Sequence, residues 1–269
     1  MFELPITSYA MARILFAPLD HHLGPQAILA KKLPGKVLVD NLTYPRAALT
    51  WMKHRIYLTG EPSPDFLAEL RQLLKTNLLP EAQAAGRERF LLYYPAGADE
   101  QAKKLLEGIE HTQEWRLVLE MAELKVDWRQ LLVEKMLLQQ VDEWLLRSKG
   151  LIGRESIVHA YTAEHGSLEE ALKQEFGYCL IQRRLIIARC LSEYAGDGRC
   201  EFGIVTHPDH RKKGLGTLVA AAMVERARFL GFPRIGWHCW EKNHASSALA
   251  EKVGFELKVR YPVLTGKLV

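Results

Sequence analysis

The 269-residue chain has no run of eighteen apolar residues, which excludes a membrane-spanning helix. Its opening, MFELPITSYAMARILFAPL, has no basic start and no small-residue cleavage site, so no secretory signal is expected. Only four cysteines occur, Cys179, Cys190, Cys200 and Cys239, and none forms a CxxC pair. That leaves no paired-ligand zinc site and predicts free thiols packed as small apolar groups in a reducing cytoplasm. Two phosphate-binding signatures are also missing, the GxxxxGK[ST] loop and the GxGxxG fingerprint. The excess of positive over negative charge is small too. The net charge is +4, and the excess falls in residues 126–269, where 21 Lys and Arg face 17 Asp and Glu. Such a bias suits a small polyanionic ligand. Without interleaved aromatics it is too weak for nucleic acid, and neither nucleic acid nor a membrane is expected as a partner.

What is present is an ordinary globular composition, 48% hydrophobic and 25% charged, long enough for one large domain or two modest ones. Residues 1–125 read as a smaller α/β domain. Lys36–Val39 and Arg55–Thr59 have strand character, the second ended by Gly60 and Pro62. Pro64 opens a helix to about Leu79, with Phe66, Leu67, Leu70, Leu73 and Leu74 at helical spacing. Phe90–Tyr94 and Trp115–Met121 read as strands and Glu100–Leu106 as a helix. Residues 126–150 have apolar side chains near helical spacing, which predicts a helical connection into a second domain spanning 126–269.

The second domain begins as an antiparallel meander: Gly177–Ile181, the turn Gln182–Arg184, Leu185–Leu191, the turn Ala195–Gly198, and Cys200–Thr206. The period then changes. A helix from Leu215 ends at Gly231 and Pro233, a strand covers Ile235–Trp240, a helix His244–Lys252 closes at Gly254, and the tail from Phe255 supplies one or two strands. A meander feeding a β-α-β-α-β run requires a mixed sheet with helices on its faces, the α+β form of the α/β class.

The most informative segment runs from Gly203 to Thr217. A strand ends, a turn carrying Arg211, Lys212, Lys213, Gly214 and Gly216 follows, and a helix starts. Unpaired backbone N–H groups and the positive end of a helix dipole meet there, which is a phosphate-binding arrangement. Gly214 and Gly216 remove side chains where a pyrophosphate must approach the backbone.

Val205–Thr217 resembles motif A of the GNAT superfamily of N-acetyltransferases, and Asn243–Phe255 resembles motif B, with its Asn, short helix and closing Gly-Phe. The likeness spans roughly Gly177 to Glu256, and its wording is nearest the zwittermicin-resistance-like branch. It implies acetyl-CoA as co-substrate and transfer of the acetyl group to the primary amine of a small molecule or peptide, by direct attack in a ternary complex. It also implies that Arg211, Lys212, Lys213, Gly214, Leu215, Gly216 and Thr217 hold the pyrophosphate. Ile204, Val205 and Thr206 would pair with the pantetheine arm, an N–H near Val205 would face the thioester oxygen, and Asn243 would contact the cofactor arm. Asn243 equally suits a helix N-cap. The first domain has the same strand order without an RxxGxG turn, which suggests a degenerate copy of the same fold.

A lysine-like amine has a pKa near ~10.4, so attack near neutral pH needs a proton acceptor. Glu201 is the first candidate, because strand parity puts it on the face of Gly203 and Val205. Glu193 and Asp197 are alternatives. Many members of the superfamily carry a tyrosine where this chain has Ala250. Ser246, Ser247 or His238 would have to replace it as proton donor. The alternative reading is an inert acyl-CoA-binding or partner-binding scaffold. Glu164, Glu169, Glu170 and Glu175 lie just before the meander, where they would either attract a cationic amine or form a solvated helix face. Neither the acceptor nor the oligomeric state follows from the sequence.

Overall fold

The computed structural model describes residues 1–268. The chain divides into two compact units, Met1–Arg116 with the stretch from Tyr261 onward, and Leu117–Arg260. This division at 116/117 lies near the expected border at 125/126, and it assigns the stretch from Tyr261 to the first unit.

The first unit contains β1 (Phe2–Glu3), a 3-10 stretch (Ile6–Leu19), α1 (Leu23–Leu29), β2 (Lys36–Val39), β3 (Ala47–Met52) and β4 (Arg55–Gly60). It continues with α2 (Pro64–Leu73), a π turn (Leu74–Leu78), α3 (Leu79–Ala84), β5 (Arg89–Tyr93), α4 (Asp99–Leu105) and the start of β6 (Thr112–Met121). Strand β3 was not anticipated. All six of its residues are buried, so it has no alternating pattern to betray it. Helix α2 starts as expected, with Ser63 accepting from Phe66 N and Pro64 in the first turn. Strands β2, β3 and β4 are antiparallel, and β4 then pairs in parallel with β5 from Arg55↔Leu91 to Tyr57↔Tyr93. The unit closes with the end of β12 (Phe255–Lys267), which pairs antiparallel with β5 through Leu264↔Leu92. Phe66, Leu70, Leu74, Phe90 and Leu92 form its core with the helices.

The second unit contains a 3-10 turn (Trp128–Leu131), β7 (Leu137–Gln140), α5 (Glu143–Arg147), α6 (Arg154–His165), α7 (Leu168–Gln174), β8 (Gly177–Gln182) and β9 (Leu185–Gly196). Then come β10 (Arg199–Thr206), α8 (Leu215–Phe229), β11 (Arg234–Trp240) and α9 (His244–Val253). The expected helical connection over 126–150 is corrected. Leu137–Gln140 is a strand paired with β8, and only Glu143–Arg147 is α-helical. Strand pairing overrides a short apolar spacing that fits either period.

Strands β7 to β10 are successively antiparallel, and β10 pairs in parallel with β11. Both hairpin tips are two-residue turns with positive φ at each position, Arg183 and Arg184 (48° and 66°) and Asp197 and Gly198 (52° and 72°). Helix α8 packs on one sheet face through Leu218, Val219, Met223 and Val224, against Cys200, Phe202, Trp237 and Phe255. Helices α6 and α7 contribute Ile157, Tyr161 and Ala171 to a separate core with Cys179, Ile186 and Leu191.

Candidate active site

The parallel pairing of β10 with β11 covers only Arg199↔Arg234, Cys200↔Ile235 and Glu201↔Gly236. Beyond Glu201 the two strands part. A groove of about 760 Å³ lies at the end of β10, the start of α8 and one side of α9. It is lined by Ile204, Val205, Thr206, Arg211, Lys212, Gly214, Leu215, Gly216, Thr217 and Asn243, ten of the eleven residues that the sequence placed at a cofactor. The eleventh, Lys213, turns away and its Nζ donates to the Asp209 carbonyl at 2.9 Å.

The turn has a backbone that favours glycine. Lys212 and Gly214 take positive φ, 59° and 76°. Gly214 is the N-cap of α8, and no side chain caps that helix. Consecutive N–H groups in such a turn form an anion-binding concavity at the positive end of the helix. A Cβ on Gly214 would meet nothing within 4 Å, so this glycine answers the left-handed backbone. Gly216 is helical and answers proximity instead: a Cβ there would lie 2.7 Å from Leu249 Cδ1 and 3.2 Å from Thr206 Oγ1. The donor set fits a phosphorylated cofactor, since the residues at the mouth are cationic and nothing fills the cradle.

Helix α9 supplies residues that the sequence reading missed. Ala245, Ala248, Leu249 and Lys252 line the groove, as do Ser246 and His210. Residues 245, 248, 249 and 252 recur at helical spacing, so one face of α9 was readable once Asn243 was placed. Asn243 caps α9, its Oδ1 accepting from Ser246 N at 3.2 Å, and also borders the groove. Ser246 Oγ accepts the indole N–H of Trp237 at 3.0 Å. Ser247 donates to the His244 carbonyl and does not line the groove. Ala250 is fully buried in the core under α8.

Glu201 lies outside the groove lining, on the sheet face opposite α8. Cys200 and Phe202 on either side of it face the α8 core, which puts Glu201 with Gly203 and Val205. It is 7% exposed, and its Oε1 is 3.4 Å from His238 Nε2. Gly236 makes room for it, since a Cβ there would be 3.2 Å from Glu201 Cγ. Asp197 is set apart at the exposed hairpin tip, and Glu193 lies exposed on β9. Of the four glutamates before the meander, Glu169 and Glu170 are exposed on α7. Glu175 is buried, with its Oε1 3.1 Å from His165 Nε2 and its Oε2 accepting from the Ser192 hydroxyl. His207 is half-exposed, its N–H held by the Ile187 carbonyl.

All four cysteines are free and buried. Burial pushes the Cys179 thiol up to about 12, with Asp142 adding to the shift and Arg189 opposing it. Burial likewise raises Cys190 and Cys200. No cluster of metal-ligating side chains occurs among the described residues.

A meander running into a β-α-β unit, with strands that part beside an uncapped glycine turn, is the framework of an N-acetyltransferase. Residues 15–264 match the family model described as GNAT acetyltransferase, so the chain belongs to the GNAT acetyltransferase family. A Bacillus subtilis (strain 168) protein, described as the uncharacterized N-acetyltransferase YdfB, is 23% identical over 243 residues, covering 88% of this chain and 87% of that one. A GCN5-related N-acetyltransferase-like protein from Streptococcus suis 89/1591 has the same fold, with a TM-score of 0.68, 18% identity and coverage of 97% and 99%. So does a tandem GNAT protein from the clavulanic acid biosynthesis pathway, with a TM-score of 0.63, 12% identity and coverage of 99% and 98%. No helix is long and apolar enough to cross a membrane among the described residues.

Proposed function

We propose that the chain transfers an acetyl group from acetyl-CoA to the primary amine of a small-molecule or peptide acceptor, by direct attack with both bound. The observation that supports this most is the groove itself, which gathers the end of β10, the glycine turn and the capping Asn243 around one cavity. Backbone N–H groups of residues 211–217 bind the pyrophosphate, aided by Arg211 and Lys212. The β10 backbone at Ile204–Thr206 orients the pantetheine arm, and Asn243 faces it. Acetyl-CoA supplies an activated acyl group on a thiol leaving group whose pKa is near ~8.5, so that departure needs little acid assistance.

Glu201 accepts the proton of the attacking amine. His238 Nε2 lies 3.4 Å from the carboxylate on one side, and Gly236 leaves space for it. The N–H near Val205 stabilises negative charge that develops on the acyl oxygen. Ser246, which lines the groove, serves as donor for the leaving group, because the Trp237 indole occupies one of its lone pairs and its own proton stays available. A reducing cytoplasm is the compartment that suits four buried free thiols and this co-substrate.

The first unit is, on this reading, a degenerate copy. It has the same antiparallel meander followed by a parallel step, and its β4 and β5 also share three paired positions. The last of these is Tyr57↔Tyr93, where the second unit has Glu201↔Gly236. The two tyrosine rings stack at 4.8 Å, and His22 packs on both. The turn after β4 is Glu61-Pro62-Ser63-Pro64-Asp65, acidic, short of N–H donors and capped by its own serine. One acetyl-CoA per chain is therefore expected.

Ala250 favours a second reading, an acyl-CoA-binding scaffold, because that buried position offers no hydroxyl. Thiol release from acetyl-CoA with a panel of amines separates the two. Turnover that Glu201→Gln lowers about 10²–10⁴-fold, with acetyl-CoA affinity kept, supports transfer. Tight binding with no turnover on any amine supports the scaffold.

A further inference from the structure

Glu193 has a position that no pairing rule predicts. The β9–β10 register steps from Glu201↔Tyr194 to Phe202↔Ser192, so Glu193 is the extra residue of a bulge on β9. Bulges re-aim a side chain, and this one aims at β10. The carboxylate lies over Gly203: a Cβ on that glycine would be 2.1 Å from Glu193 Oε1 and 2.9 Å from its carboxyl carbon. Any other residue at 203 would push the carboxylate off the strand.

Gly203 is the next residue after Glu201 on the same strand face, about 7 Å along the strand. Two carboxylates thus sit side by side on the face opposite α8, one buried against His238 and the other exposed. Arg189 on β9, across from Val205, interacts electrostatically with Glu193, and its Nη1 donates to the Ser156 carbonyl on α6 at 2.9 Å. Glu164 on α6 lies nearby, its Oε2 3.5 Å from the Tyr194 hydroxyl. The buried Glu175 is closed off by His165 and Ser192.

We propose that Glu193 is a specificity-determining residue that binds a second, protonated nitrogen of the acceptor, making the substrate class a diamine or polyamine. This rests on the reading of Glu201 as the base. Two carboxylates on one strand face then offer one to each nitrogen. Glu201 takes a proton from the amine that attacks. Glu193 keeps its ammonium partner charged by a charge-assisted hydrogen bond and does no proton transfer. A neutral or single-amine acceptor makes no such charge-assisted contact with Glu193.

The test uses the full chain at saturating acetyl-CoA, with putrescine, spermidine and n-butylamine as acceptors. Putrescine and n-butylamine share a carbon chain and differ by the second nitrogen. We expect kcat/KM for putrescine and spermidine to exceed that for n-butylamine about tenfold or more. Glu193→Gln should lower that ratio toward one, chiefly through the KM of the diamines. Gly203→Ala keeps the charge but displaces the carboxylate, and it should lower the ratio as well. Equal kcat/KM for putrescine and n-butylamine in the unaltered protein would overturn the proposal, as would failure to acetylate any of the three. So would a Glu193→Gln variant with lower Tm and lower kcat but an intact diamine preference, the signature of a counter-ion to Arg189. Calorimetric acetyl-CoA binding keeps the failures distinct: loss of the diamine preference with binding intact removes only this inference, whereas absence of binding removes the reading of the groove.

Discussion

Replacing Gly216 with alanine separates the needs of the fold from those of the ligand. The residue lies in the first turn of α8, where its backbone is helical, so alanine gains about 1 kcal/mol of helix propensity. The new methyl meets Leu249 Cδ1 at 2.7 Å and Thr206 Oγ1 at 3.2 Å, and overpacking of that kind costs about 1–3 kcal/mol. The clash is with the end of a flexible, half-buried side chain, which can swing into the groove it lines. The lower part of that range therefore applies, and the two effects nearly offset. We expect a Tm within about 4 °C of the unaltered protein. The groove does not share this tolerance. The methyl stands where phosphate must approach the backbone, and the displaced Leu249 narrows the space further. A loss of about 1.4 kcal/mol in binding is tenfold in Kd, and at least that much is expected. Calorimetric titration with acetyl-CoA and a thermal melt measure the two quantities on one sample. Gly231 is the counterpart, beyond the far end of α8, with φ of 84° and nothing within 4 Å of a built Cβ. Gly231→Ala should lose about 1 kcal/mol of stability and no affinity. An unchanged acetyl-CoA Kd in Gly216→Ala, with Leu249 free to move, would refute the assignment of this turn as the phosphate site.

Titration of the chain with acetyl-CoA should saturate at one equivalent, and Asn243→Ala should weaken binding while costing about 1 kcal/mol through the lost cap, read by calorimetry and melting. His165→Ala leaves the buried Glu175 with Ser192 but no imidazole, so a Tm drop of roughly 10 °C or more is expected. The Arg129 hydrogen bond holds the Glu225 carboxyl below its usual range, with the Trp128 indole assisting against desolvation. A lowered folded-state pKa gives stability that is present above the unfolded value and lost as pH falls, so the Tm gap between the unaltered protein and Glu225→Gln should shrink from about pH 6 to about pH 3. An aromatic disulfide reagent should find no fast thiol in the folded chain and four after denaturation, which leaves the thiol-release assay free of background.

The sequence carried the second unit better than the first. Its hairpin turns, the change of period after Thr206 and the glycine stops are local signals, and each element from β8 onward stands within about five residues of its expected place, whereas α6 and α7 were not placed. Strand β3 and the stretch 126–150 failed for one physical reason: a short apolar segment takes its form from the strand it pairs with. The division between units was unreadable because residues from Tyr261 onward belong with residues near the start. At the site, strand, turn and helix are contiguous, so the turn read as a phosphate-binding arrangement, and the resemblance to the superfamily's motifs named the β10 and turn residues. Ala245, Ala248, Leu249 and Lys252 needed the placing of α9 beside the groove, and His210 lies in the turn itself without having been named. Glu193 was named as an alternative proton acceptor, but its place over Gly203 comes from a bulge, which leaves no mark in the residue pattern. Glu175 read as part of a charged helix face, yet it is buried because its partners His165 and Ser192 are distant in sequence.

The closing strand of the first unit has a consequence for synthesis. Thr265 reaches across to the Phe90 carbonyl at 2.7 Å, from 175 residues further along the chain. Until those residues leave the ribosome, β5 presents an unpaired edge of buried apolar side chains, the kind of edge that recruits other chains. The half of the protein made first is thus the half that must wait longest. A stalled or clipped product ending before Tyr261 would contain every residue of the groove and still leave that edge open to aggregation.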